Sequence, residues 1–63
     1  MAIPNDPMIL LSYLNTQLRD NDASFDAFCK RMDCDAVSIR EKISAIGYEY
    51  DTNRNQFVAK RGN

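Results

Sequence analysis

Apolar and polar positions sort into three helical stretches followed by one short alternating stretch. From Pro7 to about Asp20, Leu11, Leu14 and Leu18 recur at spacings of three and four, the period of one helix face. Met8, Ile9, Leu10 and Tyr13 widen that stripe until the first half is apolar nearly all round, which predicts burial on two sides. Asp6 is placed to cap free N–H groups, and Pro7 suits the first helical position because it has no N–H to leave unpaired. Asp20-Asn21-Asp22 then breaks the helix with turn-forming side chains. Phe25, Phe28, Cys29 and Met32 fall at i, i+3, i+4 and i+7 after the cap candidate Ser24, with Asp26 in the first turn, predicting a short amphipathic helix. Ser24 is followed at its third position by Ala27, so the reciprocal capping box is missing and this helix is expected to fray. Asp35 caps a third helix over Ala36–Ile46, whose inward face is Ala36, Ile39, Ile43 and Ile46, and Gly47 ends it.

After Gly47 the period becomes two. Tyr48-Glu49-Tyr50 alternates, Asp51 to Asn55 is dense in turn residues, and Gln56 to Ala59 is strand-prone, which predicts a hairpin with a five-residue loop. The expected fold is therefore mostly α with a small β-hairpin: a three-helix, helix-turn-helix-like bundle followed by a C-terminal two-stranded wing. One domain over 1–63 is expected, with 60–63 a frayed tail. Leu14, Leu18, Phe25, Phe28, Met32, Ile39, Ile43 and Ile46 should form the core, with Tyr48 and Phe57 over one edge.

Composition narrows the roles. The 63 residues include 8 Lys+Arg, 9 Asp+Glu and no His, with 44% apolar residues, fitting a folded domain. Without His and with 2 Cys, a four-ligand zinc site or a His-based catalytic site is not expected. At this size the core leaves little room for a deep substrate pocket, so neither an enzyme, nor a cofactor, nor a small-molecule substrate is expected. Cys29 and Cys34 would close only a very short loop and remove little unfolded-state entropy, so reduced, core-facing thiols are expected. The opening residues lack a basic n-region and a cleavage site, and the longest apolar run, Met8 to Leu11, is far below the roughly 18 residues of a membrane span. No membrane association and a cytoplasmic location are the expectation.

The middle of the chain looks like a helix-turn-helix. Phe28 and Cys29 are the apolar and small residues that let two helices cross closely. Met32 and Cys34 plug the turn, Asp35 caps, and Ile39 and Ile43 anchor the second helix. The turn position usually held by Gly is Asp33, a residue that tolerates a left-handed backbone better than most. With the hairpin as a wing, residues 24–59 resemble a winged helix. On that reading Ala36, Val37, Arg40, Glu41 and Ser44 face the major groove, with Arg40 the best guanine contact. Arg54 at the wing tip, with Asn53 and Asn55, reaches a phosphate or the minor groove, and Lys42, Lys60 and Arg61 contact phosphates. Residues 1–35 carry net −3 and residues 36–63 net +2. Against DNA binding, useful binders make about 6–10 phosphate contacts. This half has five basic residues, and Asp35 and Glu41 would lie near the same surface.

Other signals have plainer explanations. Asp51-x-Asn53-x-Asn55 begins like a calcium loop but has Gln56 in place of the turn glycine and Gly62 in place of the closing glutamate, so a hairpin turn explains it better and no metal is expected. Asp20, Asp22 and Asp26 read as solvated capping residues. Tyr48, Tyr50 and Phe57 are a poor stacking platform for single-stranded nucleic acid and are better read as packing over the first helix, with one face of Tyr50 left exposed. The apolar excess at Met8, Ile9, Leu10 and Tyr13, with Tyr50, is either covered by the hairpin or forms a surface for a protein partner or homodimer.

Three segments carry a family resemblance: Ile3-Pro4-Asn5-Asp6-Pro7-Met8-Ile9-Leu10-Leu11-Ser12, then Asn15-Thr16-Gln17-Leu18-Arg19-Asp20, then Gly47-Tyr48-Glu49-Tyr50-Asp51 with Asn55-Gln56-Phe57. The chain resembles domain-of-unknown-function family 4250, short bacterial proteins of about this length. The resemblance implies no activity and no catalytic residues. The functional expectation is thus a non-catalytic protein-interaction or self-associating module, with a winged helix-turn-helix DNA-binding regulator as the alternative.

Overall fold

The computed structural model describes residues 3–60. Three helices, α1 (Pro7–Asp20), α2 (Phe25–Met32) and α3 (Ala36–Ala45), precede strands β1 (Tyr48–Asp51) and β2 (Gln56–Ala59). The strands pair antiparallel, Tyr48 opposite Ala59 and Tyr50 opposite Phe57. β2 packs along α1 and β1 along α3, so the hairpin closes over the bundle.

Local chemistry sets the helix ends. The Asp6 carboxylate accepts from the N–H groups of Met8 (2.9 Å) and Ile9 (3.2 Å), with Pro7 following as expected. Ser24 Oγ accepts from Ala27 N–H at 3.1 Å, so α2 has a cap without a capping box. Asp35 does the same for Val37 at 3.0 Å. At the far end of α2, Asp33 adopts φ 52°, and the N–H of Cys34 donates to the Cys29 carbonyl at 3.0 Å. This left-handed stop satisfies the last carbonyls of α2 and turns the chain into α3. The α2–α3 turn thus forms with Asp33 in its left-handed position. α3 ends at Ala45 instead of Ile46, because Ile46 (φ −102°, ψ 14°) has left the helical region and its N–H turns back to Ile43. Gly47 follows at φ 84°, where a side chain would be strained.

The core comprises Leu10, Leu11, Leu14, Leu18, Phe25, Phe28, Cys29, Ile39, Ile43 and Phe57. Phe25 lies at its centre, edge-on to Phe57 with ring centroids 5.1 Å apart and stacked beside Phe28 at 6.3 Å. Met32 and Ile46, expected in the core, are only half-buried, since Met32 is the last residue of α2 and Ile46 lies just past the end of α3. Phe57, expected at an edge, is a core residue instead, because the hairpin folds onto the bundle, sets its ring against Phe25 and ties its backbone to Asn15 of α1. The loop is one residue shorter than expected, since Asp51 still pairs with Gln56. Asp51 Oδ1 accepts from the N–H groups of Asn53 and Arg54, which fixes the turn. Of the expected tail, Lys60 is tied down by its N–H, which donates to the Gly47 carbonyl at 2.8 Å; residues 61–63 lie outside the described residues.

Candidate interaction surfaces

Two open grooves flank the hairpin. The first, about 690 Å³, runs between α1 and the β2 side and is lined by Met8, Leu11, Ser12, Asn15, Arg54 and Gln56 among others. The second, about 460 Å³, lies between α3 and the β1 side, with Arg40, Ser44, Tyr48, Glu49, Tyr50 and Lys60 on its walls.

The residues expected to form an apolar surface divide sharply. Met8 and Ile9 are 55% and 59% exposed. Leu10 is 1% exposed, a correction to its place on that surface: it points into the core between α1 and its neighbours. Tyr13 is half-buried and sits edge-on to Phe28 at 6.2 Å. Tyr50 is half-buried and lines the second groove, while its hydroxyl turns inward. It accepts from Phe25 N–H (3.1 Å) and donates to Asn55 Oδ1 (2.6 Å). A further exposed apolar residue, Val37 at 63%, begins α3.

The residues expected to contact DNA also divide. Arg40 and Ser44 share one face of α3, but the Arg40 guanidinium lies over the Phe25 ring at 5.4 Å and the Ser44 hydroxyl accepts from the Lys60 ammonium. The same ammonium reaches the Ser44 carbonyl at the end of α3, a position that favours a cation. Lys42 is exposed and lines neither groove. Arg54 lines the α1 groove, away from Arg40, and lies 3.8 Å from Asp51. Asn53 is exposed on the loop. Asn55 departs from the wing-tip role: its amide turns inward and donates to the carbonyls of Leu18 (3.0 Å) and Asp22 (2.9 Å). Arg61 lies outside the described residues.

Charge follows a related division. Arg19, Lys30, Arg31 and Arg54 each stand within 4 Å of an aspartate: Asp20, Asp26, Asp22 and Asp51. Among the described residues, Arg40, Lys42 and Lys60 have no such partner. Three of the six aspartates of residues 1–35 are paired in this way, and the cations without a carboxylate partner gather on α3 and beside its end.

Buried polar contacts between distant residues bolt the elements together, and no local sequence pattern marks them. Asp22, expected to be solvated, is 7% exposed and takes two hydrogen bonds from Arg31, at 2.9 and 2.8 Å. Those bonds hold its carboxyl below the usual carboxylate range, against the upward push of burial. Arg31 also donates to Gln17 and lies over the Phe28 ring at 5.9 Å, joining α1 to α2. Cys29 and Cys34 are both free thiols, the first buried and the second half-buried. Burial, and then the adjacent Cys34 thiol, push Cys29 up to about 12. Among the described residues no group of three His, Cys, Asp or Glu is close enough to hold a metal ion, and no helix is long and apolar enough to cross a membrane.

Comparison with curated proteins and comparison with solved structures each return no match. Residues 4–57, most of the chain, match the family model described as "Domain of unknown function (DUF4250)", and the chain belongs to that family.

Proposed function

We propose that this chain is a non-catalytic bacterial protein-interaction module, self-association being its simplest form, with the outer face of α1 as the docking surface. The observation that carries this reading is the exposure of Met8 and Ile9 side by side at the start of α1, 55% and 59%, with Met8 opening into the groove beside the hairpin. Fully burying such a side chain is worth about 1.5–3 kcal/mol, and Met8 and Ile9 leave over half of that unrealised, so covering them is a ready source of binding energy. The groove adds Ser12, Asn15, Gln56 and Arg54 as polar rim groups for orientation. The absence of His from the sequence, the poorly ionising Cys29 thiol and the commitment of Asp22 to Arg31 support the non-catalytic part. Sedimentation velocity from micromolar to near-millimolar concentration tests it: a rising weight-average mass is expected, and a monomer throughout counts against self-association.

A second reading, a cytoplasmic winged helix-turn-helix DNA-binding regulator using α3 and the 51–55 loop, draws on the three cations without carboxylate partners. The placement of Arg54 in the other groove and the engagement of Ser44 and Lys60 with each other favour the first reading. Titration with random duplex at low salt separates the two. Binding that weakens with salt, with Arg40→Ala relaxing specificity and Arg54→Ala weakening binding to every sequence, would support DNA recognition.

A further inference from the structure

Cys29 and Cys34 occupy the two positions that the left-handed stop of α2 presses together. In such a stop the residue after the left-handed one donates its N–H to the carbonyl five residues earlier, and the side chains of those two residues commonly touch. Here the donor is Cys34, the acceptor is Cys29, the bond is 3.0 Å, and Asp33 between them supplies the left-handed turn. A direct backbone bond of this kind holds the two Cα atoms close, and a disulfide needs them about 4.4–6.8 Å apart. Both side chains face the same apolar cluster, and each thiol is near enough to perturb the other.

We propose that Cys29 and Cys34 are an oxidative modification site that closes an intramolecular disulfide by exchange with a low-molecular-weight disulfide such as oxidised glutathione. Burial fixes the order of events. Cys29 is 6% exposed and out of reach, whereas Cys34 is half-buried at the turn. The Cys34 thiolate attacks one sulfur of the oxidant; a mixed disulfide forms and one thiolate leaves. The Cys29 sulfur, having given up its proton, then attacks Sγ of Cys34 and expels the second thiolate. Two cysteine thiols are oxidised, one external disulfide is reduced to two thiols, and the two cysteine protons end on those thiols. Burial keeps Cys29 protonated near neutral pH, so the second step is the slow one, and its rate rises about tenfold per pH unit while Cys29 remains mostly protonated. Because the closed loop is so short, the bond acts as a local lock on the α2–α3 turn and adds little to global stability.

Reduced wild-type protein is treated with excess oxidised glutathione, quenched in acid at intervals, alkylated and weighed intact, with peptide mapping. The expected end product carries neither alkyl nor glutathione groups and is lighter by two hydrogens, after a transient glutathione adduct on Cys34. Cys29→Ala should accumulate that adduct, and Cys34→Ala should leave Cys29 unmodified in the folded chain. A wild-type end product that keeps glutathione on Cys34, alkylates at both thiols, or is disulfide-linked to a second copy overturns the proposal. The wild-type result decides it without either variant.

Discussion

Asn15, midway along α1, exchanges two hydrogen bonds with the backbone of Phe57. Its Oδ1 accepts from the Phe57 N–H at 2.7 Å, and its Nδ2 donates to the Phe57 carbonyl at 3.1 Å. A side-chain amide carries the same donor and acceptor as a peptide group, so Asn15 meets the outer edge of β2 as a neighbouring strand would. It thereby both covers an exposed strand edge and seats Phe57 in the core. Asn15→Ala removes both bonds and leaves two half-buried backbone groups to find water. A loss of about 1–3 kcal/mol in unfolding free energy is expected, read as a lower urea midpoint at unchanged slope. A loss below about 0.5 kcal/mol would mean that water replaces the amide without cost.

The Tyr50 hydroxyl links three segments. It closes the first turn of α2 through Phe25 N–H and orients Asn55, which grips the end of α1 and the α1–α2 turn. Tyr50→Phe keeps the ring against Phe25 and Phe57 but strips the hydroxyl. The expected cost is about 1–3 kcal/mol, together with faster hydrogen exchange at the Phe25 amide. If that amide exchanges at the wild-type rate, the hydroxyl is not its partner in solution.

The Asp22–Arg31 pair gives the fold a sign of acid sensitivity. Asp22 has its pKa lowered in the folded chain, first by hydrogen bonds from Arg31. A lowered folded pKa stabilises above the unfolded value and loses that contribution as pH falls through the folded value. Unfolding free energy should therefore be flat from neutral down to about pH 5, then fall steeply through the acid range below the ordinary aspartate pKa. Arg31→Met should flatten this acid limb, because the shift goes with the guanidinium, and should itself cost about 1–3 kcal/mol by leaving a buried carboxylate without its donors. Urea unfolding at a series of pH values measures both.

Element order and most of the core were readable because they rest on period and caps. Leu14, Leu18, Phe25, Phe28, Ile39 and Ile43 fall inside where their spacing puts them. The asparagines were not readable. Asn15 and Asn55 have partners 42, 37 and 33 residues away, and nothing local to a polar residue on a helix or loop tells which strand or helix end will arrive beside it. Asp22 failed for the same reason: its partner Arg31 lies nine positions on, across a turn. Leu10 shows the limit of period itself. In a run as apolar as Met8 to Leu11, composition alone does not say which members face out; Leu10 is buried at four and eight residues before Leu14 and Leu18, on the same helix face.

Asp33 holds the left-handed position at φ 52° with its side chain exposed. A residue with a Cβ is strained there, and glycine is not. Asp33→Gly is expected to raise unfolding free energy by about 0.5–1 kcal/mol, the relief at φ > 0 outweighing the extra freedom gained by the unfolded chain. It should also leave the Cys34 amide protected against exchange, since the bond to Cys29 persists. A destabilised variant would show that the Asp33 side chain contributes something beyond its backbone angle.

Neighbouring positions on α1 offer the sharpest test of the docking surface. Met8 and Ile9 are more than half exposed, and Leu10 is fully buried. The pair Met8→Lys with Ile9→Lys should therefore change unfolding free energy by less than about 0.5 kcal/mol while abolishing the concentration dependence of sedimentation. Leu10→Lys, by contrast, would bury an unpaired ammonium and should prevent folding. Val37→Lys supplies the control, since Val37 is as exposed as Ile9 but lies on α3. Loss of association in the Val37 variant together with its retention in the Met8/Ile9 pair would move the interface to α3.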